Sequence, residues 1–257
     1  MYSFSMANST TEAVRGIAAA LERLGIHRDD LILVHSSFKA LGTVPGGPDT
    51  VIAGVLAAVG GGGTLLMPAL SYMQQPHEVH DTRLTPSNIG VISERFRMWT
   101  GVARSLHPTH SVCGIGPLVD ELFRRHVSDD TPCGPNSPFS LMIDCGAKIV
   151  MLGCGLRPNT AMHAVEEHVA PPYLFGGECL YRITDGTGEV FEKRYRHHGF
   201  KGFIQRYDRI TELAKCPVVA SGTVLAAKTV VIDAKRLREA GLAALRDDPL
   251  FFVEATA

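Results

Sequence analysis

Apolar residues in the first third of the chain follow two different periods. Val14, Ile17 and Leu21 recur at helical spacing, which predicts a helix capped at Thr10 or Thr11. The pattern next predicts a buried strand over 31–37, a helix over 48–59 and a buried strand over 64–70. Strand-helix-strand units of this kind are typical of a parallel sheet that is covered on both faces.

The rest of the chain adds helices and strands and then changes its period. The predicted elements are a helix over 85–99, an irregular strand over 103–116, helices over 118–126 and 139–143, a strand over 148–152 and a helix after Asn159. From Cys179 the apolar period becomes two residues around Asp185-Gly186, which predicts a β-hairpin. A helix over 208–214, a strand pair within 218–232 and a helix over 234–245 complete the series. The predicted fold class is α/β, with a mostly parallel sheet and a C-terminal antiparallel hairpin section.

Composition favours a single domain over residues 11–257, with residues 1–10 as a flexible N-terminus. The chain has 257 residues, of which 45% are hydrophobic, so it can bury a large core. A formal net charge of -1 excludes the broad basic surface that nucleic-acid binding needs. The apolar run over 51–70 is interrupted by a four-glycine turn and by Pro68, so we expect no membrane span.

Cysteine usage and the N-terminal residues indicate the compartment. The six cysteines include no CxxC pair, which favours buried thiols over a disulfide framework. The first residues have neither the basic nor the apolar region of a secretion signal. We therefore expect a cytoplasmic protein, either a monomer or a homodimer.

Four segments concentrate polar residues at the ends of apolar strands, where open α/β sheets bind ligands. They are VHSSFKALG (34–42), RSLHPTHSV (104–112), CGPNSPFSLM (133–142) and LGCGLRPNTAMHAVEEHVAPPY (152–173). In the last segment, His163 and Glu166 lie three residues apart on one face of a helix. A carboxylate beside an imidazole fixes its tautomer and stabilises the imidazolium, as a general base requires. The alternative is an ordinary His/Glu pair on a capped surface helix.

Two further residues, His35 and Arg104, can each be interpreted in two ways. His35 ends a buried strand and is either a second catalytic group or a structural histidine. Arg104 suits either a bidentate phosphate contact or a structural salt bridge.

Metal ligation is not expected from the spacing of the histidines. The pairs that resemble ligands at first sight are His107-x-x-His110, His163-x₄-His168 and His197-His198. None of them belongs to an HExxH sequence, and residues five apart diverge on a helix, so we predict no metal site.

The segments VHSS, HPTHS and NTxxHxxE, in that order, resemble the aminoglycoside 3-N-acetyltransferase (antibiotic N-acetyltransferase) family, and the similarity covers roughly residues 11–245. The resemblance implies an αβα-layered fold distinct from the GNAT acetyltransferases, acetyl-coenzyme A as donor and an amine as acceptor. It implies that His163 is the catalytic base. The residues assigned to coenzyme A are Ser36, Ser37, Lys39, Arg104, His110 and Ser111.

The acceptor explains why a base is needed. An amine with a pKa of about 10.4 is neutral in only about one molecule in a few thousand at pH 7, which corresponds to roughly 4 to 5 kcal/mol. A positioned base contributes about 10²- to 10⁴-fold, so we expect His163, oriented by Glu166, to deprotonate the amine during direct attack on the thioester. Glu167 and Asp208 are the residues that we assign to substrate ammonium groups.

The leading hypothesis from the resemblance is acetylation of the 3-amino group of the 2-deoxystreptamine ring of aminoglycosides. One alternative keeps the chemistry but has another small amine as acceptor. The alternatives of a different class are a metal-dependent hydrolase and a coenzyme A-binding regulatory protein.

Overall fold

The computed structural model describes residues 2–75 and 77–256, with side chains from residue 8 onward. The helices are α1 (Tyr2–Arg23), α2 (Pro48–Val59), α3 (Val91–Arg97), α4 (Val119–Phe123), α5 (Pro138–Asp144), α6 (Ala161–Val169) and α7 (Ala234–Asp247). The strands are β1 (Leu31–Ser36), β2 (Thr64–Pro68), β3 (Val79–Asp81), β4 (Ala103–Arg104), β5 (Val112–Ile115), β6 (Lys148–Leu152), β7 (Phe175–Thr184), β8 (Val190–His198), β9 (Phe203–Gln205), β10 (Val218–Val224), β11 (Ala227–Asp233) and β12 (Val253–Ala255).

A seven-stranded sheet with the order β10-β11-β6-β1-β2-β5-β4 forms the centre of the molecule. Its three middle strands are parallel, because β1 pairs in parallel with both β6 and β2. Antiparallel strands flank them on both sides: β11 pairs antiparallel with β6, and β5 pairs antiparallel with β2. The predicted α/β class, with a parallel sheet and an antiparallel section, is confirmed.

Side chains of β1 alternate between two cores on opposite faces of this sheet. Ile32 and Val34 pack in the cluster that includes α1 and α2. Leu31 and Leu33 pack in the cluster that includes α5, α6 and α7. A strand covered on both faces needs apolar side chains in both directions, which is why its sequence is a continuous run. The resulting arrangement is the expected αβα layering.

Two smaller sheets lie outside the central one. Strand β7 pairs antiparallel with β8 and parallel with β3, so the predicted hairpin is confirmed and gains a third strand. Strands β9 and β12 form an antiparallel pair. The sequence predicted none of β3, β9 and β12, because each has three residues and is too short to show a period.

The N-terminal helix begins earlier than predicted. Helix α1 starts at Tyr2, so the expected cap at Thr10 or Thr11 is wrong, and these threonines lie inside the helix. Thr10 is half-buried beside the turn at Gly46, where an added Cβ would meet its side chain. Packing therefore outweighs the capping preference of this threonine. Residues 2–10, expected to be a flexible terminus, are part of this helix.

Four other predicted elements are shorter or broken. The helix expected from Thr85 begins at Val91, because the preceding residues form turns, and the Ser87 N–H donates to the Glu94 carboxylate (2.7 Å). The strand predicted over 103–116 is split into β4 and β5 by a loop. A 3₁₀ turn, Tyr207–Glu212, replaces the helix predicted over 208–214. Helix α4 is shorter than predicted, and a 3₁₀ turn follows it.

Within the described residues, none of the helices combines the length and the apolar character needed to cross a membrane.

Candidate active site

A cleft of about 1070 Å³ opens at the carboxyl ends of β1 and β6. Residues after these strands form what we call the strand-end wall. The segments 68–72 and 88–93, the start of α6, the end of β8 and the 3₁₀ turn at Tyr207 also line the cleft. Gly153, which follows β6, has a φ of 74°, and a Cβ there would lie 2.7 Å from the Cβ of Ala40. Glycine is therefore required where the residue after β6 approaches the 3₁₀ turn that follows β1.

The end of β1 supplies a histidine followed by small polar residues. His35 is buried, and its Nε2 has no hydrogen-bond partner. Burial, with a smaller contribution from His163, lowers the pKa of His35 to about 3, so the ring is neutral at physiological pH. Ser36 and Ser37 follow in the cleft wall, and a 3₁₀ turn then presents the exposed Lys39.

Helix α6 brings His163 and Glu166 together as their spacing predicted. The His163 Nδ1 lies 3.1 Å from Oε2 of Glu166, whose side chain is fully buried. Two tyrosine hydroxyls also donate to this carboxylate, Tyr173 to Oε1 (2.7 Å) and Tyr207 to Oε2 (2.7 Å). The Tyr207 oxygen is also 2.9 Å from the His163 Nδ1. Burial and the nearby Glu166 raise the pKa of Tyr207 well above its usual value, so it stays a neutral donor.

Two more imidazoles face the same part of the cleft. The ring of His198, at the end of β8, has its centroid 4.5 Å from that of His163. The ring of His110, from the loop between β4 and β5, lies 5.3 Å from His198 and 6.0 Å from His163. Burial lowers the pKa values of His110 and His198 well below the usual range, and the neighbouring imidazoles add to the shift. These two rings are therefore neutral.

Glu167 is hydrogen-bonded to His198 and to two donors of a neighbouring loop. Its Oε1 is 2.7 Å from Nε2 of His198 and accepts from the Cys133 N–H (2.7 Å). Its Oε2 accepts from the Thr131 hydroxyl (2.6 Å). The side chain is only 5% exposed, and burial raises the pKa of Glu167 to about 7. Internal donors occupy both oxygens in this structure, and its assignment to substrate ammonium groups stays a prediction.

Asp208 is also engaged within the protein. Its carboxylate pairs with Arg157 (3.1 Å) and with Arg206 (3.0 Å), and the Arg206 hydrogen bond is the main reason that its pKa is lowered. A substrate ammonium group would have to displace these guanidinium groups. Among the described residues that line the cleft, none is Asp or Glu, and the charged ones are Lys39 and Arg157.

Arg104 and Ser111 have structural roles outside the cleft lining. The Arg104 Nε donates to Oγ of Ser111 (2.7 Å), which in turn donates to the Ala69 carbonyl (2.9 Å). The remaining guanidinium nitrogens donate to carbonyl or hydroxyl oxygens of Ala69, Ser71, Thr82 and Thr85. These hydrogen bonds join β4 to the residues that follow β2 and to those that follow β3, and both cofactor assignments stay predictions. The predicted salt bridge is replaced by hydrogen bonds to neutral acceptors.

Sequence reasoning missed Tyr173, Tyr207 and His198 as members of this site. Tyr173 and Tyr207 are 7 and 41 residues from Glu166, outside the reach of helical spacing. His198 was considered only as part of a His-His pair. The sequence does place His198 at the end of the predicted hairpin, and the structure shows that this end of β8 lies at the cleft.

Comparison with known proteins was made on both sequence and fold. The family model for aminoglycoside 3-N-acetyltransferases matches residues 33–246. Aminoglycoside N(3)-acetyltransferase III of Salmonella is 32% identical over 171 residues, which cover 59% of this chain and 59% of that relative. The matched region thus spans less than two thirds of the relative.

Solved structures extend the similarity over most of the chain. AAC-IIIb in binary complex with CoASH has a TM-score of 0.79 and 26% identity, covering 90% of this chain and 95% of that one. A mutant of the aminoglycoside acetyltransferase AAC(3)-IVa in complex with a gentamicin has a TM-score of 0.78 and 26% identity, covering 92% and 89%.

Proposed function

Because this chain belongs to the aminoglycoside 3-N-acetyltransferase family, we propose that it transfers the acetyl group of acetyl-coenzyme A to an amine, the 3-amino group of the 2-deoxystreptamine ring of an aminoglycoside. The observation that carries the chemistry is the pairing of His163 with a buried Glu166 in the wall of the cleft. Glu166 and Tyr207 engage Nδ1 of His163. Its Nε2 is then the nitrogen that accepts a proton from the acceptor.

Acetyl-coenzyme A lies against the strand-end wall in this proposal. Ser36 and Ser37 offer hydroxyls to the acyl and pantetheine portions, and His110 flanks the thioester. Lys39 suits the phosphate groups, and Arg157, which pairs with Asp208 at 3.1 Å, would join it by exchanging that carboxylate for phosphate. The CoASH complex of AAC-IIIb, which has the same fold, supports coenzyme A as the cofactor.

Transfer proceeds directly from the thioester to the amine. The amine nitrogen attacks the thioester carbonyl while His163 takes its proton, and the tetrahedral intermediate expels the coenzyme A thiolate, which is then protonated. Glu166 stabilises the imidazolium through Nδ1–H. His35 cannot serve as a cationic acid with a pKa of about 3, so we assign its unpartnered Nε2 a hydrogen bond to bound reactant.

A second candidate acceptor is a small amine of low positive charge. The observation in its favour is that the described cleft lining contains no carboxylate, while Glu167 and Asp208 are occupied internally. An aminoglycoside carries several ammonium groups, and a site that binds it is expected to provide complementary anions.

A thiol-release assay with acetyl-coenzyme A separates the two acceptors. The panel comprises 4,5- and 4,6-disubstituted aminoglycosides, apramycin, simple diamines and monoamines, with product masses measured. Turnover of aminoglycosides with a mass increase of one acetyl group supports the leading proposal. Turnover confined to mono- and diamines supports the second, and no turnover with any of them, despite coenzyme A binding, contradicts both.

The His163→Ala variant tests the base. We expect kcat to fall by about 10²- to 10⁴-fold, because the amine then loses its proton acceptor, while the Kd of coenzyme A changes less than about twofold. The matched control is His168→Ala, which removes an exposed histidine from the same helix. Equal kcat in the His163→Ala and wild-type proteins would exclude His163 as the base.

A further inference from the structure

Three imidazoles from separate parts of the chain converge in the cleft. His110 comes from the loop between β4 and β5, His163 from α6 and His198 from the end of β8. One nitrogen from each ring lies within 4.8 Å of the other two. The three histidines are far apart in the sequence. None of the histidine pairs whose spacing is unsuited to a metal contains two of them.

Each ring is oriented by a hydrogen bond on its other nitrogen. Glu166 engages Nδ1 of His163 at 3.1 Å, and Glu167 engages Nε2 of His198 at 2.7 Å. The Thr109 hydroxyl is 2.9 Å from Nδ1 of His110. Carboxylates or other polar groups that fix the second nitrogen are the usual supports of metal-ligating histidines.

The remaining nitrogens are Nε2 of His163, Nε2 of His110 and Nδ1 of His198. The last of these is the strongest indication of a ligand, because it is buried and has no hydrogen-bond partner. The side chain of His198 is only 6% exposed. A buried nitrogen without a partner is costly unless something binds it.

We propose that His110, His163 and His198 bind a divalent transition-metal ion of the Zn²⁺ class, and that the bound ion inhibits acetyl transfer. Three imidazoles with one open position form a known type of zinc coordination. At Zn–N distances of about 2.0–2.1 Å, tetrahedral ligand atoms lie about 3.4 Å apart, so nitrogens within 4.8 Å of one another need only small side-chain movements.

Inhibition follows from the identity of one ligand. A metal ion on Nε2 of His163 occupies the lone pair that would take the proton of the amine, and its charge repels an ammonium group. The ion is an inhibitor here and not a cofactor. This second part rests on the proposed function, whereas metal binding itself does not.

Direct binding measurements on the chelator-treated, desalted protein test the site without acetyl-coenzyme A. We expect Zn²⁺ to bind with one-to-one stoichiometry by calorimetry, and Co²⁺ to give the intense visible absorption of a four-coordinate site. The His198→Ala and His110→Ala variants should lose at least about 100-fold in affinity, and Glu167→Gln about tenfold. His168→Ala, which removes an exposed histidine, is the control and should bind as the wild type does.

Two results would overturn the proposal. Zn²⁺ affinity that is equal in the wild-type and folded His198→Ala proteins, with folding checked by circular dichroism, would place the ion elsewhere, for example on the exposed Cys145 or Cys216. Tight binding of Zn²⁺ through the three histidines, without loss of turnover that a chelator restores, would contradict the inhibitory role. Absence of turnover with every amine tested would contradict the proposed function but leave the binding test intact.

Discussion

Two adjacent carboxylates on α6 serve two different regions of the molecule. Glu166 lies in the interior between helices, where it accepts from Tyr173 and Tyr207. Glu167 lies beside the hairpin, where it joins the loop at Thr131 to His198. Consecutive residues point about 100° apart around a helix, which separates the two carboxylates. Both nevertheless hold an imidazole of the same cleft.

The difference between them lies in the donors that each receives. Glu166 is hydrogen-bonded to the His163 ring, on the same helix, and to the hydroxyls of Tyr173 and Tyr207. These contacts position a single histidine. Glu167 ties together segments that are distant in sequence, namely a loop, the helix and a strand end. We therefore expect Glu166 to govern the rate of transfer and Glu167 to govern stability and the position of His198.

The Glu166→Gln variant should show the largest effect. An amide cannot stabilise the imidazolium as a carboxylate does, so kcat should fall about 10²-fold or more, while the KM for acetyl-coenzyme A changes less than about threefold. Steady-state kinetics at neutral pH measures both.

Glu167→Gln is the matched control for that experiment. It changes the neighbouring carboxylate to the same amide, and we expect kcat at neutral pH to fall less than about tenfold. A larger loss of kcat in Glu167→Gln than in Glu166→Gln would reverse the assignment of the two residues.

The comparison of the two glutamates also shows which contacts of the site can be predicted from the sequence alone. Helical spacing correctly placed His163 beside Glu166, and the strand-end motif correctly brought His35 and Ser36 to the cleft. Both are local relations, which the periods of helix and strand determine. Tyr207 lies 41 residues from Glu166, and only tertiary packing brings the two together.

Three of the residues assigned to ligands from the sequence have internal partners for one shared physical reason. Arg104, Glu167 and Asp208 were chosen for their charge, on the expectation that the charge meets a ligand. In the folded chain, nearby carbonyls, imidazoles or guanidinium groups satisfy each of them. Charge type is visible in a sequence, but the partner of a charge is not. Prediction of the fold is limited in a similar way. The apolar pattern predicted the main strands but not the three-residue strands β3, β9 and β12.

Stability should depend on pH through Glu167. Its pKa is about 7 in the folded protein against an ordinary value of 4.5, so the folded state holds a proton between these pH values that the unfolded state has released. The contribution of this group is therefore complete below about pH 4.5 and is lost as the pH rises through 7. In Glu167→Gln this dependence disappears, and the difference from wild type should amount to at most about 3 kcal/mol.

Urea unfolding at about pH 5 and about pH 8 measures that difference. Relative to Glu167→Gln, the wild-type protein should lose free energy of unfolding between the two pH values. Glu22→Gln, which changes an exposed glutamate on α1, should follow the wild type. Parallel pH curves for the wild-type and Glu167→Gln proteins would show that Glu167 titrates normally in the folded state.

The two tyrosines that bind Glu166 give the smallest and sharpest comparison. The Tyr207 hydroxyl contacts both the carboxylate and Nδ1 of His163, whereas the Tyr173 hydroxyl contacts the carboxylate alone. Both side chains are buried, so either change to Phe should cost roughly 1 to 3 kcal/mol in free energy of unfolding. Only Tyr207→Phe should also lower kcat, by about tenfold, because it alone removes a contact to the base. Urea unfolding and steady-state kinetics on the pair measure these effects, and equal kcat values in the two variants would mean that Tyr207 only supports the fold.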